Sequence, residues 1–163
     1  AVDNAAVQAV TNGGAVGVRN IIVSKEYNAA LNTDSLTITL PSGRKLYYIS
    51  PQIYENQWGS PSIAYMGMDQ KTKKWKRLET YGGKLVENCV QAIARDCLAG
   101  AITRLEEAGL PVVFHIHDEV VIDCRKDTAS LEDVIRIMTE PIPWAPGLPL
   151  GADGWVGDFF RKD

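Results

Sequence analysis

Pro111-Val112-Val113-Phe114-His115-Ile116-His117-Asp118-Glu119-Val120-Val121-Ile122-Asp123 is the stretch on which the reading of this chain turns. Val, Ile and Phe favour a pleated, packed surface, so the two apolar runs read as short buried strands. The polar triplet His117-Asp118-Glu119 leaves room only for a tight hairpin between them, with two adjacent carboxylates at its tip on stiff backbone. Adjacent like charges repel, and an unpaired buried charge is costly, so the pair calls for a cation or for open solvent.

At 163 residues the chain has room for one domain with a sizeable core. With 45% hydrophobic and 23% charged residues its composition is that of a folded globular protein. A net charge of -3 leaves no global nucleic-acid footprint, so any such contact has to come from local basic clusters. Cys89, Cys97 and Cys124 form no CxxC pair and are odd in number, which argues against a disulfide framework and for a reducing, cytoplasmic setting. No apolar run approaches the roughly 20 residues that span a bilayer. Ala1-Val2-Asp3-Asn4 lacks the character of a signal peptide, and the start in helical sequence without Met is what a fragment or processed chain would show.

Ala1 to Val10 has helical spacing, stopped by Asn12-Gly13-Gly14. Val16 to Val23 suits a strand, and Asn28 to Asp34 a polar turn. Ser35 to Leu40 alternates like a half-buried strand, and Lys45 to Ile49 returns after the turn signal Pro41-Ser42-Gly43. A looser segment around Pro51, Gly59 and Pro61 follows. Ser62 to Met68 and Lys73 to Glu79 then form another strand pair. Gly82-Gly83 opens the longest helix, which runs to about Ala108 and stops at Gly109. Its two adjoining apolar stripes (Val86, Val90, Ile93, Cys97, Ala101 and Ala94, Leu98, Ile102, Leu105) imply burial around most of its circumference. Lys84, Asn88, Gln91 and Arg95 share the remaining face and could line a groove for a polyanion. After the hairpin, Asp127 to Ser130 offers caps for a short helix with Leu131, Val134, Ile135 and Met138 inward. Pro141, Pro143, Pro146 and Pro149 force an extended connector, and Gly154 to Phe160 reads as a closing strand. The fold class is therefore α+β, with antiparallel hairpins around a long buried helix.

Thr80-Tyr81-Gly82-Gly83-Lys84-Leu85-Val86-Glu87-Asn88, then Gln91-Ala92-Ile93-Ala94-Arg95-Asp96, leads through that helix to His117-Asp118-Glu119. The combination resembles the C-terminal palm of family A DNA polymerases, most closely their bacteriophage-type branch. Leu40 to Tyr48 and the run from Pro141 through Gly154 resemble the same branch, so the likeness extends through nearly the whole chain. It implies a division into residues 1–79, hairpins at the junction of fingers and palm, and residues 80–163, the palm segment. It also implies template-directed nucleotidyl transfer from a dNTP to a primer 3′-hydroxyl by two-metal catalysis, with Mg²⁺ as cofactor. Primer–template DNA, dNTP and the remainder of the polymerase are the implied partners, without a membrane, in the cytoplasm of a bacterial host.

Position by position, Asp118 matches the motif C aspartate that ligates the catalytic ions, Glu119 the neighbouring carboxylate, and His117 the histidine near the primer terminus. Gln91 falls on the helix that faces the duplex, where the family reaches the minor groove with a Gln; Arg95, Asn88 and Lys84 lie along the same face. Two motifs of the family are missing: the Asp-Tyr-Ser-x-Ile-Glu stretch with the other metal aspartate, and the Arg-x-x-x-Lys-x-x-x-x-x-x-Tyr-Gly helix that grips the triphosphate. Both lie N-terminal to this portion in the family, so the chain alone is expected to be catalytically incomplete.

Other readings of the same residues stand beside this one. His115 and His117 could form a His-x-His zinc pair with Asp118 in a hydrolase, although no further His completes the site. The chain could also hold nucleic acid without doing chemistry. Lys71, Lys73, Lys74, Lys76 and Arg77 make the densest basic cluster, either a solvated hairpin face or a phosphate-contacting surface. Trp58, Trp75, Trp144 and Trp155 read as packing residues, and the cysteines as small buried apolar groups.

Overall fold

The computed structural model describes residues 1–160. The chain divides into two compact units, Ala1–Gln91 and Ala92–Asp163. In the first, helix α1 (Val2–Asn12) is followed by six strands that pair antiparallel in sequence order: β1 (Ala15–Val18), β2 (Ile21–Asn28), β3 (Thr33–Thr39), β4 (Lys45–Glu55), β5 (Pro61–Met68) and β6 (Trp75–Thr80). Helix α2 (Gly82–Glu107) begins in this unit and ends in the next. The second unit adds a two-stranded sheet, β7 (Val112–Ile116) and β8 (Glu119–Ile122), and helix α3 (Leu131–Met138). The α+β class is as expected.

Helix α1 ends where the glycines require it, with Gly13 at φ 73 and its N–H on the Ala9 carbonyl. Its inward residues Ala5, Ala6 and Ala9 are small, and all three are buried against the sheet. The single strand expected over Val16 to Val23 is instead two, β1 and β2. The chain turns at Arg19-Asn20 with Arg19 at φ 53, a position that no Gly in the sequence marks. Cross-strand partners share a face, so Val23, Ile38 and Leu46 lie together on one and Ser24, Thr37 and Tyr47 on the other. β3 was expected to be half-buried, yet Ser35, Leu36, Thr37 and Ile38 are all buried. β3 lies in the middle of the sheet, with β2 and β4 along its two edges. Of its buried polar side chains Thr37 is hydrogen-bonded, its Oγ1 lying 2.8 Å from Ser24 Oγ and donating to the Ser24 carbonyl, whereas Ser35 Oγ is buried without a partner among the described residues.

β4 runs straight through the segment that Pro51 seemed to loosen. A register shift between Ile49 and Gln52, with Ser50 at φ 50, is the bulge that lets a proline stand inside a sheet. The Ser50 carbonyl freed there accepts from Arg77 Nη1 at 3.0 Å. The turn at Pro41-Ser42-Gly43 forms as expected, with Gly43 at φ 86.

The expectation of a helix buried nearly all round is not met by α2. In the first unit it buries Leu85 and Cys89 while Val86 and Val90 are exposed; in the second it buries Ala92, Leu98, Ala101 and Leu105. Its many apolar positions serve two separate cores in turn, so the sequence pattern is wider than the buried stripe at any one level. The cysteines are all free, and grade from buried Cys89 to exposed Cys124. Trp58, Trp75 and Trp155 are exposed, not packed as expected.

In the second unit Leu105, Leu110 and Ile137 form the core, with Val112, Val120, Ile122, Val134 and Met138 against it. α3 starts with a capping box between Ser130 and Asp133 and ends on Arg104, which donates from Nε to the Ile137 carbonyl and from Nη2 to that of Met138. The proline-rich connector avoids helix as expected and makes turns at Ala145 and Leu148. Gly154 to Phe160 forms no strand. This run carries four exposed large apolar residues, Trp155, Val156, Phe159 and Phe160, and, among the described residues, no ladder partner.

Gly82 opens α2 directly against Asp3 of α1: a Cβ there would stand 2.8 Å from Asp3 Cβ. The blocking atom is next to the backbone and cannot swing away. Gly82→Ala should therefore cost about 1–3 kcal/mol in urea unfolding, whereas Gly17→Ala, with nothing within 4 Å of its Cβ, should cost far less. Equal effects would contradict this packing.

Candidate active-site hairpin and helix face

The tip of the β7–β8 hairpin is set by one irregularity in its ladder. Ile116 pairs with Glu119 and Phe114 with Val121, but Val112 pairs with Ile122, one residue out of step. Val113 is the extra residue, a β-bulge. Carried on from Val112–Ile122 without it, the register would pair His115 with Glu119 and leave a three-residue loop. With it, the loop contracts to His117-Asp118 and Glu119 joins the ladder. His117 turns the chain at φ 49, in the left-handed region that a residue with a Cβ enters at a cost.

The strands are less buried than expected: no residue of β7 or β8 is fully buried. The Leu105–Leu110–Ile137 cluster covers the side carrying Val112, Val120 and Ile122, and a two-stranded sheet has no interior strand. The other side carries Phe114 and Val121 with Ile116 and Glu119, and there the Phe160 ring meets Phe114 edge-on at 5.1 Å.

His117, Asp118 and Glu119 are all exposed. Neither carboxylate makes a side-chain hydrogen bond or ion pair among the described residues. The two acids thus meet solvent from stiff backbone, and their hard oxygens are the donor type that Mg²⁺ prefers. Among the described residues no group of three or more His, Cys, Asp or Glu converges as a metal site.

His115 shares a face with Val120, and His117 has already left the strand for the turn. The pair therefore does not form the single strand face that a His-x-His zinc site needs. His115 instead meets Arg95 of α2, with Nη1 3.4 Å from Nδ1 and Nη2 3.2 Å from Nε2. A guanidinium only donates and a neutral imidazole has one acceptor nitrogen, so at most one of these approaches is a hydrogen bond. Either way the Arg95 head is held while it stays exposed.

Lys84 and Gln91 are exposed and make no side-chain hydrogen bond or ion pair among the described residues. Asn88 is half-buried and donates from Nδ2 to Tyr48 Oη at 3.0 Å; burial pushes the Tyr48 phenol up, against the pull of that bond. The bulge at Val113 and the Arg95–His115 contact were invisible in the sequence. Two valines in succession carry no bulge signal, and twenty residues separate Arg95 from His115.

The strain at His117 has a measurable consequence. His117→Gly should raise the urea midpoint by up to about 1 kcal/mol of stability, the relief of left-handed strain being partly offset by the freer unfolded chain. His117→Val, β-branched, should lower it. Identical midpoints for the two variants would show that the turn is not held in that conformation.

Over 129 residues, 78% of its length, the chain is 50% identical to a protein named DNA polymerase from Bacillus phage SP02. The match spans only 20% of that relative. No family model and no solved structure matches the chain. The likeness to phage-type polymerases drawn from the motifs is borne out: over most of its length the chain is similar to about a fifth of a phage DNA polymerase.

Proposed function

We propose that this chain is the C-terminal palm segment of a family A DNA polymerase. Residues 1–79 would lie at the junction of fingers and palm, and residues 80–163 would carry motif C. The observation that most supports the reading is the hairpin tip, where Asp118 and Glu119 stand partnerless and exposed on a bulge-set turn, in a chain half identical to a polymerase over most of its length.

In this reading Asp118 holds Mg²⁺, with Glu119 beside it, and the remainder of the polymerase supplies the second aspartate and the helix that grips the dNTP. When bound, the ions would stabilise the attacking primer hydroxyl and the charge on the transferring phosphate. The protein's own part is positioning. The two-residue turn keeps the carboxylates from swinging, and His117 sits next to them, where the primer terminus would come. Gln91 would donate to the minor groove, and Arg95, steadied by His115, would offer a planar fork to a phosphate. Lys84 would add a point charge, and Asn88 has Oδ1 left over from its bond to Tyr48. The setting would be the cytoplasm of a bacterial host. Among the described residues no helix is long and apolar enough to cross a membrane.

Incubated with primer–template, dNTP and Mg²⁺, the 163-residue chain should bind the duplex in a salt-dependent way and add no nucleotide. Changing Gln91 and Arg95 together to Ala should weaken binding roughly tenfold or more. Nucleotide addition by the chain alone would contradict the claim that half the metal site lies elsewhere. Duplex binding indifferent to the double substitution would contradict the helix-face assignment.

A further inference from the structure

The basic cluster at residues 71–77 takes no part in the site above, and the structure gives it an unusual shape. Five of the chain's seventeen Lys and Arg lie within these seven residues. Between Met66 and Leu78 the sole acid is Asp69. Five bases less one acid give residues 66–78 a formal charge of +4 in a chain whose net charge is -3.

That acid is consumed inside the turn. Asp69 Oδ1 accepts from the Lys71 N–H at 3.1 Å, the Thr72 N–H at 2.7 Å and the Thr72 hydroxyl at 2.9 Å. Its Oδ2 pairs with Lys76 Nζ at 2.8 Å, and its backbone closes the loop on Lys73 and Lys74. Lys76 foremost, then the Thr72 donors, hold the Asp69 carboxyl far below the usual carboxylate range. A depressed folded value means that the turn's stabilisation is complete above the ordinary value of 3.8 and is lost only as pH falls through the lower one. At neutral pH the loop is therefore a set shape, with Lys73 at φ 54.

What the shape displays is three lysines and an aromatic. Lys71, Lys73 and Lys74 are exposed and have no acidic partner among the described residues. Trp75 is 57% exposed and Met68, its cross-strand partner, 48%. Arg77 follows Trp75 on the same face of β6, pinned by its bond to the Ser50 carbonyl. Basic residues on an edge strand deter pairing with other chains, which accounts for Lys76 and Arg77 on β6. It does not account for three lysines in the turn or for an open indole beside them.

We infer that this hairpin is a second nucleic-acid contact that takes a single strand, with the lysines on its phosphates and a base stacked on Trp75. Single strands are held in this manner because every base has a π-face, while duplex bases are already stacked. The inference rests on nucleic acid being a partner of the chain, as in the preceding reading.

The test is binding of a labelled oligothymidylate to the full chain across a salt series. The native protein should lose affinity with salt. Changing Lys71, Lys73 and Lys74 together to Ala should flatten the log–log slope by about two units, at about 0.7 per phosphate on a single strand. Trp75→Ala should weaken binding about fivefold or more while the slope stays unchanged. All four side chains are exposed, so urea melting should be unaltered. An unchanged slope in the lysine variant overturns the inference. A silent Trp75→Ala overturns its single-strand assignment, as does a native chain with no oligothymidylate binding. The variants also separate the two readings: silent lysines with a damaging Gln91/Arg95 pair sink only this one, and the reverse result sinks only the helix-face assignment.

Discussion

The backbone pairing of β7 with β8, shifted by one residue at Val113, is the constraint on which the geometry of the candidate site depends. Side chains in a sheet alternate, so a slip of one residue reverses which side each one faces. The bulge decides that His115 lies on the covered side, with Val120, instead of beside Glu119 on the open side. It also decides that the loop is two residues long with Asp118 inside it. A carboxylate on a longer, looser loop would be free to swing, and a site for a small cation needs groups held to fractions of an ångström. The ladder and the apolar cover of Val112, Val120 and Ile122 supply that stiffness with only modest burial.

Helix α2 supplies residues to two cores and to the proposed functional face. Each level of the helix buries a narrow stripe, which leaves Lys84, Gln91 and Arg95 exposed along the 12 residues from 84 to 95. Arg104, farther along, closes α3 by donating to its last carbonyls, which joins charge to the negative end of a helix dipole. The same logic recurs in the β5–β6 turn, where Asp69 spends its charge internally and the neighbouring lysines face outward.

Much of this was legible in the residues. Period-two alternation, Gly43 and the glycines after α1 located most of the sheet and its turns, and the motif from Thr80 to Glu119 pointed to a polymerase segment. What escaped was set by backbone detail or by distant neighbours. Arg19, Ser50 and His117 adopt positive φ without being Gly, so no composition rule finds those turns. Pro51 reads as a strand breaker unless a bulge is known to receive it. Ser35 and Thr37 alternate like a half-buried strand, yet β3, with β2 on one edge and β4 on the other, is buried on both of its faces from Ser35 to Ile38. The packing expected of Trp58, Trp75 and Trp155 came from the general tendency of aromatics toward the core, which does not decide single rings, and all three are exposed. For the candidate site, the sequence put His117, Asp118 and Glu119 together at one hairpin tip but did not show the bulge that sets the tip.

The central claim is that Asp118 forms part of a catalytic metal site completed by other parts of a polymerase. Its most direct test replaces the matching fifth of the related phage DNA polymerase with this chain and measures Mg²⁺-dependent primer extension before and after Asp118→Asn. The account predicts that the chimera extends primers and that Asp118→Asn lowers the rate by on the order of a thousandfold, with primer–template affinity within about twofold because the side chain is exposed and partnerless. Extension at the unsubstituted rate by the Asp118→Asn chimera would contradict it.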